Sequence, residues 1–130
     1  MKNIAKKNIA SLLIAATMVT ASSTVVYGQP AEITGSSGGA QTSADCGFLP
    51  AQPDHSFTIT QPSASVSINV SGSGDYTLLV TGPDTRECIL AHNFNGGAIQ
   101  SRGLYKTGTY RLYVGDIDGA GAPFTLTVQQ

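Results

Sequence analysis

The chain has 130 residues, with 7 Lys+Arg against 8 Asp+Glu, 2 His, 2 Cys, 15 Gly and no Trp, and a formal net charge of −1. A near-neutral balance with scattered basic residues excludes the basic stripe of a nucleic-acid footprint. Two histidines and two cysteines leave few side chains for nucleophilic or transition-metal chemistry.

Residues 1–28 read as a secretory signal. Lys2, Lys6 and Lys7 precede an apolar run from Ile9 to Val19, broken by Ser11 and Thr17, and the small-residue stretch "TASSTVVYGQ" follows. A basic head, a short apolar middle and a small-residue exit are the signature of an export signal. The run is shorter than the roughly 20 residues a spanning helix needs. The expected cut lies between Gly28 and Gln29, with a cut after Ala21 as the second candidate. No membrane segment remains after removal. The three lysines leave with the signal, so Arg86, Arg102, Lys106 and Arg111 face all eight acids and the mature chain is net acidic. That excess favours solubility.

Residues 29–44, "QPAEITGSSGGAQTSA", hold one large apolar residue, Ile33, and read as a flexible linker. Regular apolar spacing begins at Asp45, giving one domain over 45–130. Its two cysteines, Cys46 and Cys88, most simply form one disulfide in an exported protein. The rival, a metal site, would need Cys46, Cys88, His55 and His92 to converge, and their spacing shows no paired-ligand pattern.

Within the domain the period is two. Apolar side chains alternate with Ser, Thr, Asn or Arg in His55–Ile59, Val66–Val70, Tyr76–Val80, Tyr110–Val114 and Phe124–Val128, and more weakly around Ile99. No window carries helical periodicity. Turn signals separate the strands: "SGSGD" at 71–75, "GPD" at 82–84, "NGG" at 95–97, "TGT" at 107–109 and "GDIDGAG" at 115–121. This pattern predicts an all-β, antiparallel β-sandwich. Val66–Val70 with Tyr76–Val80, and Tyr110–Val114 with Phe124–Val128, are expected to be hairpins.

"GDYTLLVTGPDTREC" and "GTYRLYVGDIDGAGAPFTLTV" together resemble the bacterial pre-peptidase C-terminal domain over roughly residues 54–130. The resemblance rests on the "YTLLV" strand and its following turn, the "GTY" that leads into an alternating strand, and the closing "PFTLTV". It implies a jelly-roll-like sandwich on secreted bacterial proteins, often beside a protease. It also implies a generally non-catalytic domain, some relatives of which bind calcium or extracellular polymers.

Candidate sites are sparse. His55 begins a strand and His92 sits in the polar stretch "LAHNFNGG"; neither has a visible partner, and no Gly-x-Ser-x-Gly elbow exists, so no catalytic residue is assigned. Counted from Asp116 as an EF-hand loop, Asp118 fits the third position, but position five is Ala120 and position twelve is Thr127 where Glu is required. Two readings of this loop remain: a plain polar turn, or a looser calcium site of Asp116 and Asp118 with Asp84 or Asp75. For a binding surface the candidates are Tyr113 and Arg111, out of phase with the core like Leu79, and Tyr105 and Phe94, in connections. An exposed aromatic there can stack on a sugar or seat a peptide; the competing reading is a second apolar layer. The sequence thus points to a monomeric, secreted or periplasmic, non-catalytic binding or accessory module. Its expected partner is an extracellular protein or polysaccharide, and its one candidate cofactor is calcium. The alternatives are a calcium-stabilised polymer-binding domain and, further off, a small secreted hydrolase.

Overall fold

A computed structural model describes residues 30–62 and 64–130. The expected signal over 1–28 lies outside the described residues. Among the described residues ten strands account for the fold: β1 (Ala31–Ser36), β2 (Gln41–Ser43), β3 (Gly47–Leu49), β4 (His55–Ile59), β5 (Ala64–Gly72), β6 (Tyr76–Thr81), β7 (Arg86–Leu90), β8 (Ile99–Tyr105), β9 (Gly108–Asp116) and β10 (Pro123–Gln129). Two short 3-10 turns, Ala91–Asn93 and Asn95–Gly97, connect β7 to β8. One sheet has the order β1-β10-β5-β8; the other runs β2-β3-β9-β6-β7, with β4 also on β9. All pairings are antiparallel. The all-β antiparallel sandwich and the Cys46–Cys88 disulfide are as expected.

The core follows from the alternation. Val66, Ile68, Val70, Leu126 and Val128 from one sheet meet Tyr76, Leu78, Val80, Leu112 and Val114 from the other, all nearly or fully buried. Each such side chain contributes about 1.5–3 kcal/mol when removed from water.

Two expectations are corrected. The first concerns residues 29–44, expected to be a flexible linker. Here β1 pairs with β10 from Ala31↔Val128 to Ser36↔Pro123, and β2 forms a hairpin with β3. An edge strand with one wet face needs little apolar content, and half-buried Ile33 packed on the core suffices. The second concerns the two hairpins. β5 and β6 lie in different sheets, as do β9 and β10, so both connections arch across the sandwich. Alternation says which side chains face inward, and it is equally satisfied by a hairpin or an arch. The connections over 73–75 and 117–122 are longer than the two-residue loops that tight hairpins favour. The first arch is held by Tyr76, fully buried, whose hydroxyl donates to the Pro123 carbonyl. Gly72 allows this approach: φ there is +146°, and a Cβ would overlap the Tyr76 hydroxyl.

A smaller apolar cluster lies on the outer face of the β9-containing sheet. Leu79 and Tyr113, out of phase with the main core, are covered there by Cys46 and Leu49, and the Cys46–Cys88 bridge ties this cover to β7. Thr77, also buried, donates from Oγ1 to the Cys46 carbonyl at 2.8 Å.

Asp54 completes the edge of β9 between β4 and β3. Its N–H donates to the Leu112 carbonyl at 2.8 Å, and its Oδ2 accepts from the Val114 N–H at 2.7 Å. Burial pushes its carboxyl above the ordinary 3.8, and the Val114 N–H only partly opposes this. A carboxyl raised in the fold binds its proton more readily folded than unfolded. Its contribution to stability therefore falls as pH rises from 3.8 through the folded value. Asp54→Asn keeps an acceptor for Val114 and removes the charge. Urea unfolding of both proteins between about pH 3.5 and 7 should show the variant gaining on the parent as pH rises; parallel curves would refute this.

Candidate binding site

A concavity opens at one flank, where edge strand β8 faces the corner between β6 and β7. It encloses about 490 Å³ and is lined from the corner by Val80, Pro83, Asp84, Thr85 and Glu87, and from β8 and the turn after it by Ser101 to Thr107. Strand phase explains who faces it. In β8 burial alternates, so Ile99, Ser101, Gly103 and Tyr105 point inward and Gln100, Arg102 and Leu104 outward. In β7, Glu87 pairs with Val80 and Ile89 with Leu78, so Glu87 shares the inner face with core residues. The acid stands at the flank, opposite the inner side chains of β8.

An aromatic cluster forms the floor. Phe57 and Tyr110 stack at 5.4 Å and 16°, Tyr105 meets Tyr110 edge-on at 4.9 Å and 69°, and Tyr105 tilts against Phe57 at 5.8 Å and 53°. Tyr110 is held by its hydroxyl, which donates to the Lys106 carbonyl at 3.0 Å. Its ring lies where a Cβ on Gly82 would be, 2.4 Å from the nearest ring carbon, which lets the corner close down on it. Burial raises the Tyr105 phenol above its ordinary value, and the nearby Glu87 charge adds to the rise.

The candidates named from sequence scatter over the molecule. Tyr105 ends β8 and lines the groove. Tyr113 is covered in the outer cluster, Arg111 is exposed on the outer face of β9, and Phe94 lies half-buried against the core between the two 3-10 turns. These four do not form one surface. The acids divide as well. Asp116 is 2% exposed, and its carboxylate accepts from Ser37 Oγ at 3.0 Å, Gly121 N–H at 3.0 Å and Asp118 N–H at 3.1 Å. Exposed Asp118 accepts from Ala120 N–H at 3.0 Å, which holds its carboxyl below the ordinary value. Asp75 joins through its carbonyl, which accepts from Ile117 N–H. Asp84 does not join: it lies beyond the opposite end of β6 and lines the groove. Among the described residues no three His, Cys, Asp or Glu side chains come together in a metal-holding group. His55 stacks on Phe57 at 6.4 Å, and His92 is exposed in a 3-10 turn.

Sequence reasoning misses Glu87 and Gly103. A signal for Gly103 exists: a glycine inside a strand often marks the close approach of another chain or ligand.

No family model matches the chain. An uncharacterized protein of Synechococcus elongatus is 34% identical over 101 residues, covering 75% of this chain and 73% of that protein. Among solved structures, the periplasmic inhibitor of g-type lysozyme from Aeromonas hydrophila superposes with a TM-score of 0.48 at 17% identity, covering 78% of this chain and 86% of the inhibitor. The Salmonella Typhimurium inhibitor gives 0.45 at 14%, covering 77% and 89%. These superpositions are too loose to carry the inhibitors' activity over to this chain.

Proposed function

The chain belongs to the family of the Synechococcus elongatus protein, and from the flank groove of this member we propose a non-catalytic binding module that works outside the cytoplasm and holds a protein partner. The groove carries the reading: a concavity of about 490 Å³ at a strand edge, with charged side chains at its rim and an aromatic floor. The disulfide suits an oxidising compartment, secreted or periplasmic. Among the described residues neither histidine has a carboxylate or hydroxyl partner that would make it a catalytic base, which supports a binding role. The likeness of residues 54–130 to pre-peptidase C-terminal domains fits the same role.

A protein partner is favoured over a polysaccharide by how the aromatics are used. Sugar stacking needs an open ring face. Tyr105 spends its ring on Phe57 and Tyr110, Tyr110 is 4% exposed, and Tyr113 and Phe94 are packed into apolar clusters.

The test is affinity capture from the exported fraction of the native culture, with the immobilised chain and mass spectrometric identification. Ser101→Trp, which fills the groove, should abolish capture of at least one protein at an unchanged melting temperature, and Arg111→Glu, on the far face, should leave it intact. Capture indifferent to Ser101→Trp, or retention of polysaccharide alone, overturns the reading.

A further inference from the structure

The free edge of β8 has three properties that the fold itself does not require. First, β8 pairs with β5 through seven residues, from Ala64↔Tyr105 to Val70↔Ile99, and among the described residues no strand pairs with its other side. Natural edges are commonly blunted by proline, by inward-pointing charge or by brevity. β2 has three residues, and β7 carries inward-facing Glu87. β8 is seven residues long and lacks proline and inward-pointing charge; its one charge, Arg102, points outward. Beside it Leu104 is 73% exposed, the one large apolar side chain so exposed among the described residues.

Second, Gly103 is unforced. Its φ is not positive, and a Cβ there would meet only the Tyr105 ring, at an ordinary 3.9 Å. A glycine in a strand interior weakens the strand, so packing does not explain this one. Its effect is to leave a gap in the inner face of β8, between Ser101 and Tyr105, opening into the groove.

Third, the wall opposite that gap carries two acids that form no ion pair among the described residues, while the basic residues of the groove, Arg102 and Lys106, belong to β8 and the turn after it. Glu87 and Asp84 line it. Arg86, next in sequence to Glu87, is turned to the other face, where it pairs with Asp45 at 2.7 Å. Among the described residues that is the one ion pair, so neither Asp84 nor Glu87 has a basic partner.

We propose that an extended segment of a partner protein pairs with the free edge of β8 as a fifth strand of the β1-β10-β5-β8 sheet, and places a Lys or Arg side chain through the Gly103 gap toward Glu87 and Asp84. The added strand lies about 4.8 Å from β8 and takes up its outward N–H and C=O groups. The aliphatic stem of the inserted side chain passes the half-buried Tyr105 at the groove, and its cationic head meets the carboxylates. Main-chain bonds supply affinity and the inserted charge supplies selectivity. This inference rests on the binding-module reading and fixes the class of partner segment.

The probe is a library of ten-residue peptides with Arg or Lys fixed at the fifth position, the rest randomised without proline, and a matched library with citrulline there. Binding to the isotope-labelled full chain is followed by amide chemical shifts and hydrogen exchange. The basic library should shift the amides of Ile99–Tyr105 and Glu87 and slow exchange along β8, with at least tenfold weaker binding by the citrulline library. Gly103→Val should weaken binding at least tenfold while the melting temperature stays level or rises, which separates gap filling from misfolding; Glu87→Gln should weaken it similarly. Absence of binding, shifts elsewhere, or equal affinity in Gly103→Val overturns the inference. If capture in the preceding experiment still depends on Ser101 while these peptides ignore β8, strand addition fails and the binding-module reading stands. If capture is itself indifferent to the groove, that reading fails.

Discussion

Replacing Cys46 and Cys88 together by alanine is expected to lower the thermal midpoint by roughly 15–30 °C. The bridge closes a loop with a sequence separation of 42. Chain-entropy arguments assign such a loop about 4 kcal/mol, a large part of the roughly 5–15 kcal/mol that holds a typical domain together. The location adds to the effect. Cys46, at 0% exposure, belongs to the cover over Leu79 and Tyr113, and its carbonyl accepts from Thr77. Without the tether, the β2–β3 hairpin holds to the sheet by a short pairing at Phe48↔Asp116, the small cluster, the Thr77–Cys46 hydrogen bond and the exposed Asp45–Arg86 ion pair. Calorimetry of the oxidised parent, the reduced parent and the double variant should place the last two together, well below the first. A shift under about 5 °C would show that the cover is held by packing and not by the bridge.

The second large effect belongs to Asp116. Asp116→Ala is expected to cost about 3–5 kcal/mol, because it strands three donors at once: the Ser37 hydroxyl and the N–H groups of Asp118 and Gly121. Ser37 is itself a node. Its Oγ accepts from Ala122 N–H at 3.0 Å while its own N–H donates to the Ala122 carbonyl at 2.9 Å. One carboxylate thus ties the end of β1 to the arch between β9 and β10. Asp116→Asn retains one acceptor oxygen and should fall between parent and alanine variant in urea midpoint. Hydrogen exchange should quicken first at residues 116–122 and at Ser37. If the alanine variant loses less than about 1 kcal/mol, the bonds around Asp116 are ornamental to the fold.

The sequence is most legible where burial alternates cleanly. The two-residue period alone turns Val66, Ile68 and Val70, and Leu126 with Val128, toward the interior, and they are buried there. Pairing is not legible, because inward facing is the same whether a strand folds back on its neighbour or crosses to the opposite sheet. What decides it here is non-local: the Tyr76 hydroxyl on Pro123. β1 is hidden because an edge strand with one anchoring side chain, Ile33, has the composition of a linker. β7 is hidden because Cys88, on its outer face, is partly covered by the outer cluster and blurs the alternation of "RECIL". Of the groove, Tyr105 stands out in the sequence through its aromatic ring, and Asp84 stands out for a different role. Glu87 reads as an ordinary surface acid; only its register opposite Val80 turns it inward.

From β4 onward the chain changes sheet at every connection except β6 to β7. The last strand, β10, lies between β1, the first, and β5. The β2–β3 and β6–β7 hairpins are local, but the sheet of β1, β10, β5 and β8 cannot assemble before β10 is made. The β1-β10-β5-β8 sheet has no continuous interior until Phe124–Gln129 arrive, and distant partners must then find one another, which slows the search. Until Pro123–Gln129 are made, β1 and β5 lack the strand that joins them, so this half of the sandwich stays open.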